Sequence, residues 1–186
     1  MKKKILITVI TLTLATLACS IFVGGPDYPA TAIPVSTQAA GSLNNQVTQA
    51  AATGAATGSV TLNITEEQLT SYLTYYLQSQ PNIPITNPQV QLQNGQMKIF
   101  GKVQQGLLVA NASVTMTVSV DSNGQPKIQI TQEDFGPFPA PQGLNDTISA
   151  FVAEAFTGSL GPAATGFRLE SISIANGVMT VTGRVK

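Results

Sequence analysis

The chain has 186 residues, of which 43% are hydrophobic and only 10% charged, with nine basic and nine acidic side chains in formal balance. It contains no His, no Trp and one Cys, so the usual imidazole base, an internal disulfide and a Cys/His zinc site are all excluded. Three of the nine basic residues are Lys2, Lys3 and Lys4. The remainder of the chain is therefore mildly acidic, which argues against nucleic acid as a partner.

The amino terminus carries an address. "MKKK" is a positive n-region and "ILITVITLTLATLA" an apolar h-region, and Ala18 then precedes Cys19. This arrangement resembles a bacterial lipoprotein signal peptide (residues 1–18), in which a small residue precedes the cysteine, cleavage frees its amino group, and Cys19 becomes the acylated N-terminus. Thr16 stands where that motif more often has Leu. An uncleaved anchor is the alternative, because apolar character continues through "CSIFV" and residues 5–23 nearly span a bilayer. Both readings tether the protein, and two or three acyl chains at about 0.8 kcal/mol per methylene hold it effectively permanently. The expected location is the bacterial cell membrane or outer membrane, lipid-anchored on the extracytoplasmic side. In that context the Asn-x-Ser/Thr triplets at Asn63, Asn111 and Asn145 read as capping and strand residues rather than glycosylation sites.

From Gly24 to about Ser59 the chain is a mixture of Ala, Thr, Gly, Gln, Asn and Pro with Asp27 as its one charge. That composition predicts a disordered tether, so residues 19–59 are expected to form the lipidated N-terminus and a linker with a span on the order of 30–35 Å.

A folded domain is expected over residues 60–186. A short strand leads into "TEEQLTSYLTYYLQSQP", where Thr65 and Gln68 form a capping box and Glu66 and Glu67 complement the helix dipole. Leu69, Tyr72, Leu73, Tyr76 and Leu77 make one apolar face, with Tyr75 off it. Capping explains the adjacent carboxylates, and Glu133 with Asp134 are similarly ordinary, so no catalytic or metal-binding residues are assigned and a non-enzyme is expected.

Next come "NGQMKIFGKV" at 94–103 and, at 176–185, the near-copy "NGVMTVTGRV". A two-residue Asn94-Gly95 turn pairs Leu92 with Met97 and Val90 with Ile99, and Asn176-Gly177 pairs Ile174 with Met179 and Ile172 with Val181. Gly101 and Gly183, at matching places, predict bends or bulges. Between the copies, "NASVTMTVSV" and "PKIQITQ" predict a third hairpin with an odd-length loop, pairing Val120 with Ile128 and Val118 with Ile130. A proline-spaced connection follows, with Phe135 and Phe138 either rimming an opening or pinning the loop to the core. A second amphipathic helix over roughly 145–157 carries Ile148, Phe151, Val152, Ala155 and Phe156. The repeated unit is thus helix plus hairpin, offset by about 80 residues. The expected fold is α+β: a curved antiparallel sheet wrapping two amphipathic helices.

The order "ITEEQLTSYL", "NPQVQLQNGQMKIFG", a long hairpin, "FGPFPAPQGL", a helix and "LESISIANGVMTVTG" resembles the LmeA/YpmS-like bacterial envelope proteins over residues 60–186. That resemblance implies a phospholipid-binding relative of the tubular, BPI-like fold, with a lipid or other apolar ligand held between sheet and helices. Leu69, Tyr72, Leu73, Tyr76, Ile148, Phe151, Val152 and Phe156 would then line or border the ligand, or else close a dry core. No cofactor is implied. The second functional class is a structural or interaction lipoprotein with a solid core and an envelope protein as partner.

Overall fold

The computed structural model describes residues 20–80, 85–140, 150 and 167–185. The expected signal peptide, Cys19 and nearly all of the helix expected at 145–157, including Ile148, Phe151, Val152, Ala155 and Phe156, lie outside the described residues.

The elements in chain order are β1 (Ile21–Phe22), α1 (Thr37–Thr57), β2 (Ser59–Thr65), α2 (Glu66–Gln78), β3 (Ile85–Gln93), β4 (Gln96–Gln105), β5 (Leu108–Val120), β6 (Pro126–Asp134), β7 (Phe167–Ala175) and β8 (Val178–Val185). The fold is α+β, with the strands curled into a half-barrel around helices. One sheet runs β5-β4-β3, with β1 and β6 sharing the free edge of β5: β1 lies parallel beside Leu108 and Val109, and β6 antiparallel beside Ser113–Val120. The other is antiparallel β2-β8-β7.

Both Asn-Gly hairpins have the register that the alternation dictates: Leu92 faces Met97 and Val90 faces Ile99, while Ile174 faces Met179 and Ile172 faces Val181. Asn94 and Asn176 adopt φ near 54° and 52°, and the glycines after them 76° and 79°, as a type I′ turn requires. The turns also bind each other. Gly95 N–H donates to Ile174 O at 3.0 Å, and Gly177 N–H donates to Leu92 O at 2.9 Å. Residues equivalent in the two copies exchange equivalent bonds, so the repeat has a local two-fold relation.

The duplication extends to the irregularities. Register shifts fall between Thr86 and Gln89 in β3 and between Leu169 and Ser171 in β7, beside Gly101 and Gly183 respectively. A Cβ at Gly101 would meet Ile85 Cγ2 at 2.6 Å, and one at Gly183 would meet the Arg168 carbonyl oxygen at 2.8 Å. Each glycine therefore accommodates the bulged strand beside it, as expected of a sheet that must bend there.

The third hairpin has the odd-length loop, Asp121–Gln125, but pairs differently from the expectation: Val118 faces Ile128 and Val120 faces Pro126. Asp121 explains the longer loop, since its Oδ1 accepts from both Asn123 N–H and Gln125 N–H at 2.8 Å. A further shift at Thr115/Met116 sets Met116 opposite Ile130.

The main correction concerns residues 19–59, read above as a disordered tether. Thr37–Thr57 is a helix, capped by the Ser36 side chain on Ala39 N–H and ended by Gly58 at φ 78°. Its buried face is Ala39, Leu43 and Val47, with Ala50 packed at the margin. That is a helical stripe written mostly in small residues, and Ala has the best helix propensity of all. Ser42 ties α1 to α2 by accepting from Gln68 Nε2 at 2.9 Å, and Gln68 also completes the Thr65 capping box.

The segment before α1 is ordered as well. It crosses the outer face of the larger sheet as a strap. Ile21 and Val23 N–H donate to Leu107 and Val109 carbonyls at 2.7 and 2.9 Å, and Asn111 N–H donates to Gly24 O at 2.9 Å. Asn111 Nδ2 then donates to Pro26 O at 3.1 Å, and Tyr28 packs edge-on against Phe100 with centroids 6.0 Å apart. Further on, the Ile33 N–H donates to Gln89 Oε1 at 2.6 Å, and the Ser36 N–H to Ser71 Oγ at 3.2 Å.

The core fills the space between the inner faces of the sheets and the two helices, with Leu43, Ile64, Leu69, Val90, Leu92, Met97, Met116 and Met179 fully buried. β3 would be an open edge, but α2 closes it: Thr70 Oγ1 accepts from Val90 N–H at 3.0 Å and Glu66 Oε1 from Leu92 N–H at 2.7 Å. Side chains of a helix thus satisfy the strand groups that would otherwise invite another chain.

Candidate ligand cleft beneath the strap

Of the residues proposed to border a ligand, the structure brings four together on α2. Leu69 and Leu73 are buried in the core shared with Leu43 and Val47. Tyr72 and Tyr76 are half-buried against its margin, as is Leu77. The other four, Ile148, Phe151, Val152 and Phe156, lie outside the described residues. Phe135 is buried in the core and Phe138 packs on it, so these two pin the proline-spaced connection.

An open cleft of about 700 Å³ lies between the strap, the C-terminal end of α2 and the start of β3. Its lining includes the apolar residues Ile33, Val35, Leu77, Ile85 and Pro88 together with polar ones, Tyr28 and Lys102 among them. The β3 bulge shapes it. Asn87 sits at φ 50°, presenting its carbonyl to the Tyr28 hydroxyl, which donates to it. Gln89 is buried under the strap, where its Oε1 accepts from Ile33 N–H and its Nε2 donates to Ile33 O.

The electrostatics of this region come from two lysines on the outer face of β4. Lys98 Nζ stands 4.8 Å from the Phe100 ring centroid and Lys102 Nζ 5.8 Å from that of Tyr28, geometry in which an ammonium is attracted to a ring face. Among the described residues no carboxylate forms an ion pair with either lysine. Burial pushes the Tyr28 phenol above its ordinary value, so it stays a neutral hydrogen-bond donor across the physiological range.

A second cleft, of about 720 Å³, lies between the β5–β6 loop and the bulged part of β7. Its cations are engaged: Arg168 Nη2 donates to Ser122 O at 2.9 Å, and Arg184 pairs with Glu170 at 2.6 Å. Glu66 is likewise committed to Leu92 N–H, and Asp134 Oδ1 accepts from Gly136 N–H at 2.9 Å. No group of three or more metal-ligating side chains occurs among the described residues, and no described helix is long and apolar enough to cross a membrane.

Sequence reasoning missed the cleft beneath the strap because its walls come from contacts between residues more than fifty positions apart, such as Tyr28 with Asn87 and Ile33 with Gln89. One signal was present: Phe100 interrupts the polar outward positions of β4 and so requires a cover.

No protein-family model matches the chain, and no curated protein matches it. Among solved structures, it is similar to the crystal structure of lipopolysaccharide binding protein, with 12% identity and a TM-score of 0.26, over 69% of this chain and 49% of that one. The chain thus corresponds to about half the length of that protein.

Proposed function

We propose that this chain is a membrane-tethered bacterial envelope lipoprotein, acylated at Cys19 and facing the extracytoplasmic side, that binds a lipid or other apolar ligand without catalysing a reaction on it. The observation that carries this reading is the cleft beneath the strap. Ile33, Leu77, Ile85 and Pro88 offer apolar lining and Lys102 a cation in the same cleft, the combination that an amphiphile with a polar head requires. The leader ending at Ala18-Cys19 supplies the membrane context.

A second reading, a structural or interaction lipoprotein with an envelope protein as partner, is favoured by a different observation. Leu69 and Leu73, at the centre of the helical face, are fully packed with Leu43 and Val47 and leave no room for an alkyl chain between those helices.

Native mass spectrometry of the full chain extracted from its own membrane separates the two. Lipid retained by the natural protein and reduced about tenfold in Leu77→Asp supports ligand binding in the cleft. A lipid-free natural protein overturns it in favour of the second reading.

A further inference from the structure

The strap brings the membrane-proximal end of the chain to a defined place in the fold. Ile21 and Phe22 are 56% and 60% exposed, and beside them, across the parallel β1–β5 pairing, Leu107 and Leu108 are 54% and 39% exposed. These are four of the six large apolar side chains exposed among the described residues, gathered on one corner where scattered single residues would be ordinary. The segments that carry them, "SIFVGG" at 20–25 and "QQGLLVAN" at 104–111, contain no charged residue. Only Ser20 separates Cys19 from this corner, and one residue reaches at most about 3.6 Å.

We infer that this corner is a membrane-docking surface, in which Phe22, Leu107 and Leu108 enter the headgroup boundary of the bilayer that holds the anchor and set the domain end-on to it. The inference rests on the tethering at Cys19 proposed above, and holds equally for an uncleaved anchor. It also places the cleft. Gln105, opposite Leu108, is two residues along β4 from Val103, which faces Ile85 at the cleft. That is about 7 Å along the strand, so the cleft opens near the membrane end of the sheet. The β5–β6 loop lies at the other end of β5, roughly 40 Å away.

The absence of tryptophan from the chain makes a direct test available. Full-length Leu107→Trp and Asn123→Trp proteins, both changed in exposed turns, are reconstituted into vesicles of phosphatidylethanolamine and phosphatidylglycerol carrying brominated acyl chains. Flotation reports the tether and indole quenching reports the docking. The expected result is flotation of both, with at least twofold quenching at position 107 and none at 123. Flotation with no quenching at 107, or with equal quenching at both positions, overturns the docking surface and leaves the tether standing. Failure to float overturns the tether and the docking surface together.

Discussion

The two Asn-Gly hairpins share their inward residues and differ in what covers their outward ones. In β4 and β8 the core-facing positions match, Met97 with Met179, Ile99 with Val181, Gly101 with Gly183. Outward, β4 carries Lys98, Phe100 and Lys102, whereas β8 carries Thr180, Thr182 and Arg184. The β8 face meets water with its own polar pairs: Ser171 to Thr182 at 2.7 Å, Thr180 to Asn63 at 2.9 Å and Arg184 to Glu170. The β4 face is roofed by the strap, which buries Phe100 and Gln89. The comparison teaches that an apolar residue at an outward position, Phe100 where β8 has Thr182, goes with a sheet face that is covered rather than wet.

The strongest way to break this difference is Phe100→Thr, which writes the second hairpin's residue into the first. Removing a buried aromatic is expected to cost about 3 kcal/mol, measured by denaturant unfolding, and to raise hydrogen exchange in residues 21–36 while β7 and β8 keep their protection. An unchanged exchange pattern in the strap would show that Phe100 does not hold it.

A smaller effect sharpens the likeness between the copies. Gly183→Ala forces a Cβ against the Arg168 carbonyl oxygen, which is backbone, and Gly101→Ala forces one against the Ile85 side chain. Both are expected to destabilise, Gly183→Ala by about 2 kcal/mol and Gly101→Ala by about 1 kcal/mol, because overpacking costs most where the neighbour cannot rotate away. The reverse order in thermal melts would mean that the β3 bulge, not the β7 bulge, is the stiffer of the two.

The smallest effect is on the strap's alkaline limit. The folded-state value of the Tyr28 phenol is raised by burial, so the unfolded chain releases this proton first as pH rises. The Tyr28 contribution is therefore whole below about pH 10, the ordinary phenol value, and is lost as pH climbs from there through the folded value. Tyr28→Phe is expected to remove this part of the alkaline loss, read as a flatter dependence of the unfolding midpoint on pH above 10. A profile identical to that of the natural protein would leave Tyr28 without a role there.

The hairpins were legible because a two-residue Asn-Gly turn sets the pairing and the alternation of apolar residues then checks it. The third was legible only in kind, because Asp121 organises its loop through its carboxylate and the shift at Thr115/Met116 has no local signature. The helix α1 was hidden for a different reason. Its buried stripe uses Ala39, Leu43, Val47 and Ala50 amid Ala, Thr, Gly and Gln, so its composition looks like a linker although its spacing is helical. At the candidate site, the stripe on α2 was readable as buried. A dry core and a ligand wall ask for the same residue types, however, and only the packing of Leu69 and Leu73 with Leu43 and Val47 distinguishes them.

The reciprocal bonds between Gly95 and Ile174 and between Gly177 and Leu92 bear on how the chain reaches this state. A one-residue slip in either hairpin would carry its own turn out of reach and, in the same movement, strand the amide and carbonyl offered by the other. Each hairpin consequently proofreads its sibling during folding, and an error in one is felt as two missing bonds rather than one.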